Sequence, residues 1–293
     1  MYYKSFKKQY NTIKPNCIIQ IYKKKTNNLQ EIQALITRLY IQINRKPSNI
    51  IANIIQPLLW LILFGALFQN APINLFGQYH IKYTQFLSYG IIIFCAFTSS
   101  INAGLPIIFD REFGFFNRLI ISPLIYKNSL FLSLIIYTLT ISICEIIAIL
   151  IFSTYFSQNI SDIHNLLTII IITTMIIINI SNISLCISLI LPGHIEFLAL
   201  TLIINLPTLF SSTALAPLSF MPYWLQIITC LNPLTYAIEI IRYICINNSI
   251  EWNIKLIETL WFSINLRNSI LILIIINLIS FIAVKKILQS RYN

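Results

Sequence analysis

Six runs of this sequence are too long and too apolar to be core elements of a water-soluble domain. They fall at about 50–68, 86–109, 130–156, 166–191, 197–215 and 269–284, and hold a single charged residue between them, Glu145. A helix needs about 20 apolar residues to cross the hydrocarbon core, and only a structure that satisfies its own backbone polar groups survives there. The expected fold is therefore an all-α polytopic membrane protein with six transmembrane helices. Charged residues at 10% of the chain, against hydrophobic ones at 57%, agree with that reading, since soluble proteins average about 25% charged. The last run is short, so its helix is expected to begin nearer Trp261, with Arg267 snorkelling outward.

Charge placement orients these spans. Ten of the 20 Lys and Arg residues precede the first run, three lie in 110–129 and three follow Val284, whereas Lys82, Arg242, Lys255 and Arg267 stand on the other side. Basic segments stay inside, so both termini and the 110–129 loop are assigned to the cytoplasmic or stromal face. The basic tail at 1–28 then accounts for much of the net charge of +11, through attraction to anionic membrane lipids. No nucleic-acid-binding motif accompanies it, and nucleic acid is not expected as a partner. Residues 1–40 lack the early apolar region of a cleavable secretory signal.

Between tail and first span, Leu29, Ile32, Leu35, Ile36, Leu39, Tyr40 and Ile43 recur at helical spacing, and Pro47 stops the pattern. An amphipathic helix over 29–46 follows, lying along the headgroups or, alternatively, packed on a partner. After the fifth run, "APLSFMPYWLQIITCLNPLTYAIEIIR" (216–242) is broken by Pro217, Pro222 and Pro233. It reads as an outer re-entrant or surface hairpin with Tyr223 and Trp224 at the interface. The layout is thus a tail at 1–28, an interfacial helix at 29–46, a six-span domain at 50–284 and a basic tail at 285–293.

The spans carry little chemistry. HExxH and GxSxG are absent. His194-Ile195-Glu196 echoes the HxE half of a zinc-deaminase signature without its PCxxC half, and reads as a helix turn after Pro192-Gly193. The six cysteines (17, 95, 144, 186, 230 and 245) form no CxxC pair and read as packing residues. The six glycines never approach GxxxxGK[ST]. The chain is therefore not expected to be an enzyme or to hold a metal or cofactor, and any ATP it uses must be hydrolysed by another subunit.

Glu145 lies deep within a span, where a lone charge costs about 3 kcal/mol. It reads either as a functional site or as a protonated acid bonded to a neighbouring helix. Two polar stripes follow i, i+4, i+7, i+11: Cys95, Ser99, Asn102 and Pro106 in the second span, and Thr201, Asn205, Thr208 and Ser212 in the fifth. Ser181, Ser184 and Ser188 form a third in the fourth span. Interhelical packing is the simpler reading, and a substrate path or dimer face the sharper one.

One loop stands apart. "DREFGFFNRLIISPL" (110–124) places acid, base, acid, aromatics and Arg118 between two apolar runs. Together with "IIQPLLWLILFGALF" (54–68), "YTQFLSYGIIIFCAF" (83–97) and "FMPYWLQIITCLNPLTYAIEIIR" (220–242), it resembles the membrane subunit of type 2 ATP-binding-cassette (ABC) exporters, from about residue 29 to the C-terminus. The closing signature has Asn232, Pro233, Glu239 and Arg242 in place; the loop departs from the family's Gly-Thr-x-Glu with Gly114-Phe115-Phe116-Asn117.

This resemblance implies a half-transporter. Two copies would form the pathway for a lipid, glycan or other amphipathic compound, and separate ATPase subunits carrying ATP and Mg would dock from inside. The 110–124 loop would be the coupling helix, with Asp110, Arg111, Glu112, Phe115, Phe116 and Arg118 as the coupling residues. On one helix Glu112, Phe115, Phe116, Leu119 and Ile120 would share a face. The loop is most similar to cyanobacterial and algal plastid-encoded members, and the heavy use of Ile, Asn and Lys fits AT-rich codons. A plastid membrane is therefore expected, with a bacterial inner membrane as the second choice. Two alternatives remain: a scaffold subunit of a haem-handling, cytochrome-assembly complex, and an ion-coupled carrier using Glu145.

Overall fold

The computed structural model describes residues 28–45, 47–69, 81–121, 128–157, 163–247, 251–259 and 263–292. Its order is α1 (Asn28–Asn44), α2 (Ser48–Leu67), α3 (Tyr83–Ile101), a 3₁₀ turn (Asn102–Gly104), α4 (Leu105–Glu112), α5 (Phe115–Ile121), α6 (Asn128–Ser157) and α7 (Ile163–Ile190). Then come α8 (His194–Phe210), a second 3₁₀ turn (Leu218–Phe220), α9 (Tyr223–Leu231), α10 (Pro233–Ile246), β1 (Lys255–Glu258), β2 (Ser263–Asn265) and α11 (Leu266–Tyr292). The protein is an all-α polytopic membrane protein. Segments Ile50–Leu67, Tyr83–Glu112, Ser129–Thr154, Asn165–Ile190 and Leu266–Ile287 are long and apolar enough to cross a membrane, and the bent pair α9–α10 is a sixth by the same measure.

α3 is the axis of the bundle. Every residue from Phe86 to Ile101 is buried, against α2, α6, α7 and α10. Helices wrapped on all sides in this way read as apolar all round, which is why the run showed no amphipathic period. At the end that charge placement assigns to the inner face, the helix loosens into the Asn102–Gly104 turn, and Ser184 of α7 serves the freed groups. Its hydroxyl accepts from Gly104 N at 2.9 Å and donates to the Ile101 carbonyl at 2.6 Å. Of the third polar stripe, Ser184 thus holds the end of α3 to α7, while the Ser181 hydroxyl lies 3.2 Å from that of Thr138 on α6.

α1 packs on its own chain. It runs beside the first turns of α6 in the same direction: Ser129 donates to Glu31 at 3.4 Å, and further along Tyr40 meets both Tyr137, ring to ring at 5.7 Å, and the Thr140 hydroxyl. Leu35 and Leu39 are buried there, in an inner cluster with Ile107, Phe116, Leu130, Phe131, Leu134, Leu185 and Leu189. The apolar face read from the sequence therefore covers α6, α4, α5 and α7.

Two boundaries differ from the sequence reading. The fifth run was read as a span to residue 215, but α8 has 17 residues and ends at Phe210, about 25 Å at 1.5 Å per residue. Ser212, Thr213 and Ala214 continue as buried, irregular backbone, which membrane proteins tolerate only inside protein. α9 and α10 meet at 87° at Asn232, the bent pair that the proline-broken 216–242 segment led one to expect. The last helix begins at Leu266, directly after an antiparallel β1–β2 pair that the apolar pattern gave no sign of. Trp261 lies outside the described residues.

Candidate functional site

The inner loop is built by a break in helicity. α4 ends at Glu112, Gly114 takes φ +69°, and α5 starts at Phe115. That left-handed conformation suits glycine. Glu112, Phe115, Phe116, Leu119 and Ile120 therefore do not share a continuous helical face, and the single-helix reading of the coupling loop is corrected: the segment is a sharp tip between two short helices. The side chain of Ile120 lies outside the description.

Asp110, Arg111 and Glu112 each have a partner within the protein. Asp110, buried, accepts from Arg38 Nη2 of α1 at 2.7 Å, and the Arg38 guanidinium lies 5.1 Å from the centre of the Phe115 ring. Arg111 donates to the carbonyls of Ser188, Leu189 and Pro192 at 3.0, 3.3 and 3.0 Å, and also to that of Leu191. Those are the orphan acceptors at the negative end of α7. Glu112 accepts the backbone N–H of His194 at 2.7 Å through Oε1, while Oε2 lies 2.6 Å from His194 Nδ1. A carboxylate from α4 thereby caps the positive N-terminus of α8. A Cβ on Gly193 would stand 3.0 Å from Glu112 Oε1 and 2.6 Å from Glu196 Oε2, so a side chain there would require these two carboxylates to shift.

The remaining tip residues divide by exposure. Phe116 is buried in the inner cluster, whereas Phe113 (80% exposed), Phe115 and Arg118 face outward. Phe113 was absent from the sequence-derived set. The signal that could have found it is the Phe-Gly pair itself, an aromatic poised beside a turn glycine. Beside the tip, a groove of about 850 Å³ runs along α1, lined among others by Gln33, Arg38, Gln42, Arg45, Phe113 and Phe115.

The outer signature residues form a cap for the broken end of α8. Asn232 Nδ2 donates to the Thr208 and Ser211 carbonyls at 3.0 and 3.1 Å, while its Oδ1 accepts from Leu234 N at 3.0 Å as the N-cap of α10. Pro233 follows at the first helical position, where its missing N–H is not needed. Arg242 is fully buried. It donates to Glu239 Oε1 at 2.7 Å, to the Thr213 carbonyl at 2.7 Å and to the Phe86 carbonyl at 3.3 Å, with its guanidinium carbon 3.5 Å from the centre of the Phe86 ring. Charge counting had treated Arg242 as an outer-loop cation; instead it stitches α10, α3 and the irregular 213–214 backbone together.

Glu145 on α6 is also fully buried, and accepts from Asn53 Nδ2 of α2 at 3.2 Å. Next to it Ser142 donates to Ser99 of α3 at 2.7 Å. Three helices therefore meet at one polar knot. Glu145→Gln keeps an acceptor for Asn53 and should leave the detergent-solubilised protein within about 0.5 kcal/mol of the native stability, whereas Glu145→Leu strands Asn53 and should cost about 1–2 kcal/mol. Chemical unfolding of the two variants side by side reads the difference.

The two polar stripes stay apart. Ser99 bonds α6, and half-buried Asn102 donates to the Thr98 carbonyl at 3.0 Å. Thr201 and Thr208 on α8, and Ser212 just beyond it, donate to carbonyls of their own segment at 2.7–2.9 Å. Asn205 is half-buried, its Oδ1 lacking a partner among the described residues.

Comparison with known proteins bears on the whole arrangement. A model of the family described as "ABC-2 type transporter" matches residues 30–246. Three relatives share the name "Putative transport permease ycf38". The chain is 47% identical to that of Porphyra purpurea over 265 residues, 90% of this chain and 91% of the relative. It is 46% identical to that of Cyanophora paradoxa over 264 residues and to that of Pyropia yezoensis over 267, with the same shares covered.

Proposed function

Because the chain belongs to the ABC-2 type transporter family, and is thus a transport permease, we propose that it is the membrane half of an ATP-driven exporter. Two copies line the path for an amphipathic compound, and separate ATPase subunits, with ATP and Mg, dock at the inner tip. The observation that carries this reading is the division of labour at 110–118. Asp110, Arg111 and Glu112 are used up in holding the tip to α1, α7 and α8, while Phe113, Phe115 and Arg118 are left facing outward on that rigid mount. An exposed aromatic beside a cation is the composition of an interface anchor. Arg45, in the groove beside it, offers a charge to acidic side chains of the ATPase.

Docking therefore belongs to Phe113, Phe115 and Arg118, while Glu112 is engaged with the start of α8. The exposed faces of α2 (Ile51, Ile55, Leu59) and α8 (Leu202, Ile203, Leu206) flank one another through Trp60 and Phe210, 6.3 Å apart ring to ring, and are the surfaces offered to a second copy and to lipid. The relatives come from algae, and with the heavy use of Ile, Asn and Lys this supports a plastid membrane, both termini on the stromal side.

The test is co-purification. Tagged chain should bring down an ATPase subunit from detergent extracts, and Phe113→Asp combined with Arg118→Glu should weaken that contact by roughly 2 kcal/mol or more, the scale of an aromatic anchor. Since Phe113 and Arg118 are exposed, the variant folds. An ATPase that stays bound removes the tip from the docking surface. A bound haem in the purified complex would instead favour the assembly-factor alternative, and transport driven by a proton gradient without ATP the carrier alternative.

A further inference from the structure

α8 is held at its two ends and little between. At the inner end Glu112 takes both the backbone N–H and the ring of His194, and the Phe109 ring lies 5.3 Å from that of His194. At the outer end Asn232 takes the Thr208 and Ser211 carbonyls. Along the helix only Phe197, Thr201 and Leu209 are buried, whereas Ile195, Leu198, Leu202, Ile203, Leu206 and Phe210 are exposed. Pro207 adds a weak point just before the outer clasp, because it has no N–H to close on the Ile203 carbonyl.

The neighbouring helices are held differently. α3 is buried without a break from Phe86 to Ile101, and α7 packs along α3, α6, α10 and α11. A close-packed core resists displacement. A shift of the tip reaches α7 through Arg111 and α8 through Glu112, but only α8 is free to follow it.

We propose that α8 is the element the tip moves, with Glu112 and His194 as the lever contact at its inner end and Asn232 as the pivot at its outer end. This rests on the reading of the tip as the ATPase contact and adds where the motion goes. Glu112 and His194 are positioning residues in this scheme. They touch neither ATP nor cargo, and transmit displacement because a carboxylate from α4 is the N-cap of α8. The polar stripe of Thr201, Asn205 and Thr208 travels with the helix.

Hydrogen–deuterium exchange on the complex of the full chain with its co-purified ATPase, with and without ATP plus vanadate, tests this. In the native complex both 110–118 and 194–210 should change their exchange. In Glu112→Ala the change at the tip should persist while that at 194–210 falls about tenfold, the scale of a lost hydrogen bond to a charged group. Glu112→Gln, whose amide oxygen still accepts the His194 N–H, should restore it, which separates transmission from misfolding. An α8 response that survives in Glu112→Ala overturns the lever. A native complex that responds at the tip and not in α8 does the same while leaving the docking reading intact; no response at the tip overturns both.

Discussion

Arg242→Met is expected to cost about 3–5 kcal/mol of stability, the range for breaking a buried ion pair, and to lower the temperature at which the detergent-solubilised protein loses its fold. The reason is not the pair alone. Arg242 stands where helix α8 has stopped short and the chain passes through the protein interior as irregular backbone, whose carbonyls have no helical donors. Its guanidinium supplies donors to Thr213, to Phe86 and to Glu239. Removing it leaves the Glu239 carboxylate buried and strands the carbonyls as well. The double variant Arg242→Met with Glu239→Gln separates these causes. It removes the carboxylate charge that Arg242 balances but leaves the Thr213 carbonyl without its guanidinium donor, so it should recover only part of the loss. Recovery to native stability would mean that the carbonyl contacts contribute nothing.

This network also marks the limit of what could be read from residues alone. Apolar length found the spans, because the bilayer imposes one length on every crossing helix. It placed 50–68, 130–156 and 166–191 within a few residues of α2, α6 and α7. It overran α8, because Ala214 and Leu215 are as apolar in irregular backbone as in a helix, and hydropathy does not see which carbonyls lack donors. The partner that resolves the break, Arg242, is 28 residues further on and looked like an ordinary outer cation. At the inner tip the residue types were legible and their directions were not. Gly114 at positive φ splits the loop, so Glu112 turns to α8, Phe116 turns into the core, and Phe113 takes the exposed position. His194 was set aside as part of a turn; it opens α8 directly after that turn, and its importance comes from a carboxylate 82 residues away in sequence. The two-stranded pair at 255–265 was missed because strands that short leave no alternating pattern long enough to recognise.

Gly90→Ala tests the same outer assembly from the other side. A Cβ at Gly90 would stand 2.5 Å from the Ala214 carbonyl oxygen and 2.6 Å from the Ala214 Cα, so the neighbour that has to move is backbone. That backbone is pinned: Arg242 holds the Thr213 carbonyl at 2.7 Å, and the Tyr83 hydroxyl donates to the Leu215 carbonyl at 3.2 Å. Overpacking against a yielding side chain costs about 1–3 kcal/mol, and here the cost should reach about 3 kcal/mol or more because nothing yields. Gly65→Ala is the matched control. Gly65 is also helical, but its added methyl would meet only the Thr84 methyl at an ordinary 3.5 Å, so alanine's better helix propensity should stabilise by about 0.5–1 kcal/mol. The same substitution should therefore have opposite signs at the two positions in chemical unfolding. If Gly90→Ala proves neutral, the 213–215 segment is not pinned, and the large loss expected for Arg242→Met loses its structural basis with it.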